Sequence, residues 1–331
     1  MLTKAKVGII GSGSWATALA KILLYNVETI NWYFRNPDNI EQFKQFRHNP
    51  GYLRGVEFDL NRIVFYNDIN AIVKDCDLLV LGIPSAFLEE SLAGLEEDLS
   101  NKFIISGVKG IVPGRNLIVG QYLHEKYQIP FERISTLAGP CHAEEIALER
   151  LSYLTVVSAS VKRARDFAVL LECPFVRTYQ SDDIFGTEYT SVLKNIYAIA
   201  SGIVNGLRYG DNFQAVLVSN AIQEIERFVG KVYPSARDIK SSPYLGDLLV
   251  TAYSQFSRNR TFGIMVGKGY SIRTAQLEMH MVAEGFYATK SIFEINQNYK
   301  VSLPICEAVY NILYQNASPA GEIKRLTEKL R

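Results

Sequence analysis

No stretch of this 331-residue chain approaches the ~18 consecutive apolar residues of a bilayer-spanning helix. The N-terminus runs directly into a strand-like segment, without the charged-then-apolar leader of a secretory signal. A soluble, cytoplasmic protein is therefore expected. Cysteine is scarce: Cys76, Cys141, Cys173 and Cys306 lie far apart, with neither CxxC nor disulfide-framework spacing. That argues for a reducing compartment and against a disulfide scaffold. Histidine is as rare, and His48, His124, His142 and His280 show neither HxxxH nor carboxylate spacing, so no metal site is expected. Excess charge of one sign is also lacking, since 35 basic against 34 acidic residues leave a net charge of +1. Nothing in that balance calls for nucleic acid or an acidic membrane. Short basic clusters such as Lys162-Arg163-Ala164-Arg165 read as solvated helix faces. There is no internal repeat and no low-complexity segment.

What the chain does have is an ordered start. Val7-Gly8-Ile9-Ile10 reads as a strand, Gly11-Ser12-Gly13-Ser14-Trp15-Ala16 as a glycine turn, and Thr17 to Leu24 as a helix. That order suits a dinucleotide: Gly11 permits the tight turn, Gly13 lets backbone N–H groups approach a pyrophosphate, and the small Ala16 allows close helix–strand packing. Further strands are expected at 29–34, 62–66, 78–83, 103–107, 134–138 and 153–159, with helical patterns between most of them. Pro84, Pro113, Pro140 and Pro174 each follow an apolar run, where the chain would turn over a sheet edge. Beyond about residue 182 the strand signal stops, and Asp182 or Asp183 offers an N-cap for the first of several helices. The pattern predicts an α/β Rossmann-like, doubly wound and mostly parallel sheet over residues 1–182, followed by an all-α domain over 183–331. Ligands should then lie outside the carboxyl ends of the strands.

Several residues could carry chemistry in such a fold. Arg35 stands after the second strand, where an acid often binds the ribose hydroxyls; an arginine there suits a 2′-phosphate or the adenine, which favours NADPH without excluding NADH. Lys109, between Gly107 and Gly110, emerges at a strand end where a cation can hold an anion or polarise a carbonyl. Gly139-Pro140-Cys141-His142-Ala143 repeats the strand, glycine turn and helix start. Adjacent Cys141 and His142 do not make a nucleophile–base pair, because such partners come from separate segments and no orienting third residue is evident. In the helix over about 184–204, Val192, Leu193, Ile196, Ile199, Ala200 and Ile203 form one apolar arc. Lys194 points the other way, among Thr187, Thr190, Tyr197, Ala198 and Ser201, with no other charge. Pattern alone weighs a lined cleft and a solvent-facing lysine equally. A second helix, over about 247–258, carries Asp247, Thr251, Ser254 and Arg258 on one stripe. If that helix is continuous, Asp247 and Arg258 stand ~16 Å apart and serve different parts of a site. Ser257-Arg258-Asn259 then reads as a phosphate clamp, against the alternative of a solvated polar stripe.

Taken together these segments resemble the NAD(P)-dependent glycerol-3-phosphate dehydrogenases of bacterial type. The resemblance rests on Gly11-Ser12-Gly13-Ser14-Trp15, Lys109-Gly110-Ile111, Gly139-Pro140 with Ala143 and Glu145, Leu193-Lys194-Asn195, Gly246-Asp247-Leu248, Ser257-Arg258-Asn259 and Ala283-Glu284-Gly285, in that order. It implies the reversible conversion of dihydroxyacetone phosphate and NAD(P)H into sn-glycerol 3-phosphate, a phospholipid precursor, by a homodimer. By that likeness Lys194 is the catalytic acid/base, working best with its pKa lowered in a partly desolvated, cationic site. Lys109, Gly139, Cys141, Asn195, Asp247, Ser257, Arg258 and Asn259 would contact the substrate. Gly11, Gly13, Ser14, Trp15, Arg35, Lys109, Ala143, Arg258, Val282 and Glu284 would contact the cofactor.

The chain departs from the family pattern at three places. The family has glycine at Ala16, Ser-Ala-Thr-Lys at Ser106-Gly107-Val108-Lys109, and Gly-Pro-Ser-Phe at Gly139-Pro140-Cys141-His142. A thiol donates more weakly than a hydroxyl, so a substrate contact at Cys141 would be weaker or made by the backbone. Two other readings fit the same motifs: an NADP-dependent hydroxyacid or hydroxy-phosphate dehydrogenase with a helical second domain, and a nucleotide-binding regulatory protein without turnover. The second predicts a missing catalytic cation, whereas Lys194 is present.

Overall fold

The computed structural model describes residues 5–279 and 282–331. Two compact units are present: one of residues 1–108 and 119–184, the other of 109–118 and 185–331. In the first, the strands are β1 (Val7–Ile10), β2 (Ile30–Tyr33), β3 (Ile63–Tyr66), β4 (Leu78–Leu81) and β5 (Phe103–Ser106). The short β6 (Ile111–Val112) and β7 (Leu117–Ile118) pair only with each other, and β8 (Ile134–Ala138), β9 (Ser152–Ser158) and β10 (Val176–Ser181) complete the set. Among the described residues eight strands form one sheet in the order β10-β9-β8-β5-β4-β1-β2-β3. Every pairing in it is parallel except β8 with β9.

Helices α1 (Ser14–Leu23), α2 (Pro37–Phe46), α3 (Ile69–Asp75), α4 (Ser85–Ser91), α5 (Val119–Tyr127), α6 (Ala143–Ala147) and α7 (Val161–Leu171) belong to the sheet unit. The central strands β1, β2 and β4 are buried at every residue, as expected for a parallel sheet covered on both faces. From β1 the chain winds outward through β2 to β3, then returns to β4 on the other side of β1. The order therefore reverses between β1 and β4, and the crevice at such a switch point is where an open α/β sheet takes its ligand. Gly11 follows β1 and Gly82 follows β4. Gly11 has φ +120°, and a Cβ on it would lie 2.7 Å from the Gly82 carbonyl oxygen, so only glycine fits.

The second unit holds α8 (Ile184–Gly206), α9 (Asp211–Val232), α10 (Asp247–Tyr253), α11 (Arg258–Gly267), α12 (Ile272–Glu278), α13 (Glu284–Tyr299), α14 (Pro304–Tyr314) and α15 (Pro319–Thr327). Helix α8 is buried on every side over residues 186–204: its apolar arc is fully enclosed, and so are Thr187, Thr190, Tyr197, Ala198 and Ser201 opposite. A helix in that position is the core of its unit.

Three features depart from the sequence expectations. Strand β10 went unpredicted because it alternates weakly, with Val176 buried and Arg177, Tyr179 and Gln180 exposed at a sheet edge. The β6–β7 hairpin also went unpredicted; Ile111 and Ile118 pack into the helical unit's core, which is why residues 109–118 group with it and a single cut at 182/183 does not describe the units. Finally, the continuous helix expected over 247–258 is broken. Helix α10 ends at Tyr253, Ser254 turns extended, and the Ser254 hydroxyl accepts from the Phe256 N–H at 3.1 Å. Ser257 then starts α11, its hydroxyl accepting from the Arg260 N–H at 3.3 Å. Two serines that compete for backbone hydrogen bonds end one helix and cap the next.

Candidate functional site

The residues with chemistry converge most closely in the helical unit. Lys194, on α8, is only 4% exposed and Asp247, at the start of α10, only 1%. Lysine and aspartate are almost never enclosed to that degree unless paired, and here they are: Lys194 Nζ lies 2.5 Å from Asp247 Oδ1. Lys109 Nζ stands 3.7 Å from the other carboxylate oxygen. The solvent-facing position for Lys194 is thus excluded, and its small polar neighbours are the lining of an enclosed face. A single π-helical turn, Ser242–Gly246, runs directly into α10, whose first residue is Asp247; such turns recur at functional sites. The Thr251 hydroxyl donates to the Asp247 carbonyl at 2.6 Å. The cluster holds two ammonium groups against one carboxylate, so it favours an anion or an oxygen on which negative charge develops.

A chain of amides fixes the surroundings. The Gly285 N–H donates to Asn259 Oδ1 at 2.9 Å, Asn259 Nδ2 to Asn195 Oδ1 at 2.9 Å, and Asn195 Nδ2 to the Lys109 carbonyl at 2.8 Å. Four segments distant in sequence are thereby registered around Lys194, which immediately precedes Asn195. Asn259 accordingly spends its carbonyl and one N–H on positioning, and the Ser257 hydroxyl accepts as a helix cap. Arg258 is the first residue of α11, so the clamp read from the sequence is the N-terminus of a helix, where free N–H groups and the dipole attract anions. Close packing sets the positions of these helices. A Cβ on Gly285 would lie 2.5 Å from the Asn195 carbonyl oxygen, and one on Gly263 would lie 2.1 Å from that of Ile199.

Val282 helps line a cavity of about 350 Å³ with Phe262, Gln276, Met279, Ala283, Phe286 and Tyr287. Glu284 begins α13. His280 lies outside the described residues.

In the sheet unit, the glycine turn leaves the start of α1 open. Space beside Gly13 is open, with nothing within 4 Å of the position a Cβ would take. Gly13 is also the N-cap of α1 and offers no side-chain acceptor to the first turn, which begins with Ser14 and Trp15; that end of a helix suits an anion. Ala16 stands opposite Gly82, where an added Cβ would lie 2.7 Å from the Ala16 Cβ. The missing third glycine of the turn is thus offset by one on the facing strand end. Trp15 packs against Gly107 in the same way, its Nε1 2.5 Å from the position of an added Cβ, so a glycine in the Ser106-Gly107-Val108 segment makes room for the indole. Arg35 is exposed and its Nη1 pairs with Glu90 Oε1 at 3.1 Å, a surface ion pair weak enough to exchange for a ligand phosphate.

At the second glycine turn, Gly139 has φ +101° and a Cβ there would meet the Tyr153 carbonyl oxygen at 2.6 Å. Cys141 is buried, and its thiol donates to the Gly139 carbonyl at 3.0 Å, while Ala143 opens α6. Arg35, Gly139, Cys141 and Ala143 thus belong to one unit, and Lys109, Lys194, Asn195, Asp247, Ser257, Arg258, Asn259, Val282 and Glu284 to the other. Sequence reasoning missed one buried residue beside the first turn, Asn49, which only an Asn49-Pro50-Gly51 turn signal marks.

Known proteins match nearly the full length of this chain. The family model described as "NAD-dependent glycerol-3-phosphate dehydrogenase N-terminus" matches residues 6–164 and that described as the C-terminus of the same enzyme matches 183–324. The chain is 33% identical to "Glycerol-3-phosphate dehydrogenase [NAD(P)+]" of Syntrophomonas wolfei, over 98% of this chain and 95% of that protein. It is 32% identical to the Staphylococcus aureus protein of the same name, over 98% of each. Among solved structures, glycerol-3-phosphate dehydrogenase from Coxiella burnetii superposes with a TM-score of 0.90 at 27% identity, covering 98% of this chain and 99% of that one. A D-mandelate dehydrogenase with NADH, at 16% identity and TM-score 0.59, covering 96% and 99%, shares the fold. The chain belongs to the NAD-dependent glycerol-3-phosphate dehydrogenase family.

Proposed function

We propose that this chain interconverts dihydroxyacetone phosphate and sn-glycerol 3-phosphate with NADPH or NADH, and that Lys194 is its acid/base. The observation that carries this reading is the buried cluster of Lys194, Asp247 and Lys109, with Lys194 Nζ 2.5 Å from the carboxylate. The nicotinamide, when bound, supplies the hydride that the carbonyl carbon accepts. Lys194 delivers a proton from Nζ to the carbonyl oxygen, and in the reverse direction removes it from the hydroxyl. Asp247 holds the lysine ammonium in one orientation. Lys109 adds positive potential where the alkoxide develops. Arg258, at the start of α11 with Ser257 and Asn259 beside it, holds the phosphate through guanidinium and helix N–H groups. Asn195 keeps Lys109 and Asn259 in register.

On this reading Gly11, Gly13, Ser14 and Trp15 hold the pyrophosphate. Arg35 leaves Glu90 for the ribose 2′-phosphate, which makes NADPH the preferred form. Gly139 and Cys141 offer backbone rather than side-chain contacts to the substrate, because the thiol is committed to its own turn. Ala143, Arg258, Val282 and Glu284 complete the cofactor contacts. No helix among the described residues is long and apolar enough to cross a membrane. The reading includes a cytoplasmic homodimer that supplies glycerol phosphate for phospholipid synthesis.

The test is oxidation of NADPH, and separately NADH, followed at saturating dihydroxyacetone phosphate and against phosphorylated and unphosphorylated carbonyl compounds. Rapid turnover of the phosphorylated triose is expected. Turnover of an unphosphorylated compound alone would overturn the assignment, and nucleotide binding without turnover of any compound would favour a regulatory protein.

A further inference from the structure

The glycine turn after β1 is tied down carbonyl by carbonyl. Trp32 Nε1, from β2, donates to the Gly11 carbonyl at 2.8 Å. Asn49 Nδ2 donates to the Ser12 carbonyl at 2.9 Å. The Thr17 hydroxyl donates to the Gly13 carbonyl at 2.9 Å, and the Thr17 N–H reaches the same oxygen at 3.0 Å. Three successive carbonyls are thus each held by a side chain from a different segment.

Asn49 links these ties. Its second N–H donates to Thr17 Oγ1 at 2.8 Å, which leaves the threonine proton directed at Gly13. Its carbonyl accepts from the N–H groups of Gly51 and Tyr52 at 3.0 and 3.2 Å. Both amide donors and both acceptor sites are used, in a side chain that is 2% exposed. A buried amide satisfied at every position has one orientation available to it.

The consequence is electrostatic. A peptide turn binds a pyrophosphate only if its N–H groups face the anion and its carbonyls face away, since each carbonyl turned forward would repel the phosphate oxygens and remove a donor. Flexible glycines cannot enforce that choice, because Gly11 and Gly13 lack the side chains that restrict backbone rotation. We propose that Asn49, with Trp32 and Thr17, preorganises the turn for the dinucleotide by holding its carbonyls back, so that Asn49 is a positioning residue for cofactor binding. The inference rests on a dinucleotide binding at this turn.

The experiment titrates NADPH into the full-length protein by calorimetry and records the thermal midpoint of each variant without ligand. Asn49→Asp keeps the acceptors for Gly51 and Tyr52 but loses both donors, and its Kd should rise by about tenfold, the order of one neutral hydrogen bond's net contribution. Thr17→Val should weaken binding about as much, whereas Thr17→Ser, which keeps the hydroxyl, should restore it to within about twofold. Trp32→Phe removes one tie without touching Asn49 and serves if the Asn49 variant does not fold. A lowered thermal midpoint with an unchanged Kd in Asn49→Asp, Thr17→Val and Trp32→Phe would overturn the proposal, leaving these ties as fold stabilisers only. Wild-type protein that binds no nicotinamide dinucleotide would instead overturn the reading of the turn itself.

Discussion

At the residue scale, Lys194 shows what enclosure adds to sequence. Its position opposite an apolar arc left two readings equal, since a helical projection assigns a face but not what lies on it. The structure decides between them because α8 is buried all round and the lysine meets Asp247 there. Lys194→Ala should lower kcat by about 10²–10⁴-fold, the usual contribution of a general acid/base, while the Kd for NADPH stays within about twofold, as no direct nucleotide contact is assigned to it. Steady-state kinetics with a parallel nucleotide titration checks this, and an active variant would remove Lys194 from its role. Ala16 gives the opposite lesson. Its small size was legible in the motif, but the reason a methyl is tolerated is Gly82, sixty-six positions later, on a strand end that no local pattern connects to it.

At the element scale, the crossing of α8 and α11 depends on backbone contact. Gly202 and Gly206 on one helix meet Gly263 and Gly267 on the other, with added Cβ atoms falling 2.1 to 2.6 Å from backbone atoms across the interface. Gly263→Ala should therefore destabilise by about 1–3 kcal/mol despite its gain in helix propensity, because the helices must separate to admit the methyl. Gly230→Ala, in α9 with nothing within 4 Å of the added carbon, should stabilise by up to about 1 kcal/mol. Denaturant midpoints of the two variants test the contrast, and equal shifts would dismiss the crossing as the cause. The broken helix at Ser254 belongs to this scale too. A stripe at i, i+4, i+7 and i+11 is compatible with one long helix, but Ser254 and Ser257 use their hydroxyls to satisfy backbone N–H groups at 3.1 and 3.3 Å, and local hydrogen bonding of that kind outweighs periodicity.

At the scale of the whole molecule, stability should carry a pH dependence set in the helical unit. Glu224 on α9 is fully buried, and burial raises its pKa from 4.5 to about 7, against the opposing hydrogen bonds from the Ile305 and Cys306 N–H groups and the Tyr197 hydroxyl and the charge of Arg227. Burial holds Tyr197 and Cys306 neutral as well, their pKa values raised. With the folded value above the unfolded one, the folded state prefers the protonated acid. The stability this confers is complete below about pH 4.5 and is lost as pH rises through about 7, a fall on the order of 3 kcal/mol. Urea unfolding between pH 5 and 8 should show that decline, and Glu224→Gln should flatten it; an identical slope in the variant would assign the effect elsewhere. The sequence by itself determined the class of fold, the glycine turn, most of the strand segments and the family motifs, because periodicity and turn chemistry are local properties of the chain. Tertiary structure alone decided that Lys109 and Lys194 share one carboxylate, that residues 109–118 join the helical unit, and that Asn49 stands behind the glycine turn. Those are contacts between segments 32 to 178 positions apart, and their formation depends on packing that no window of sequence contains.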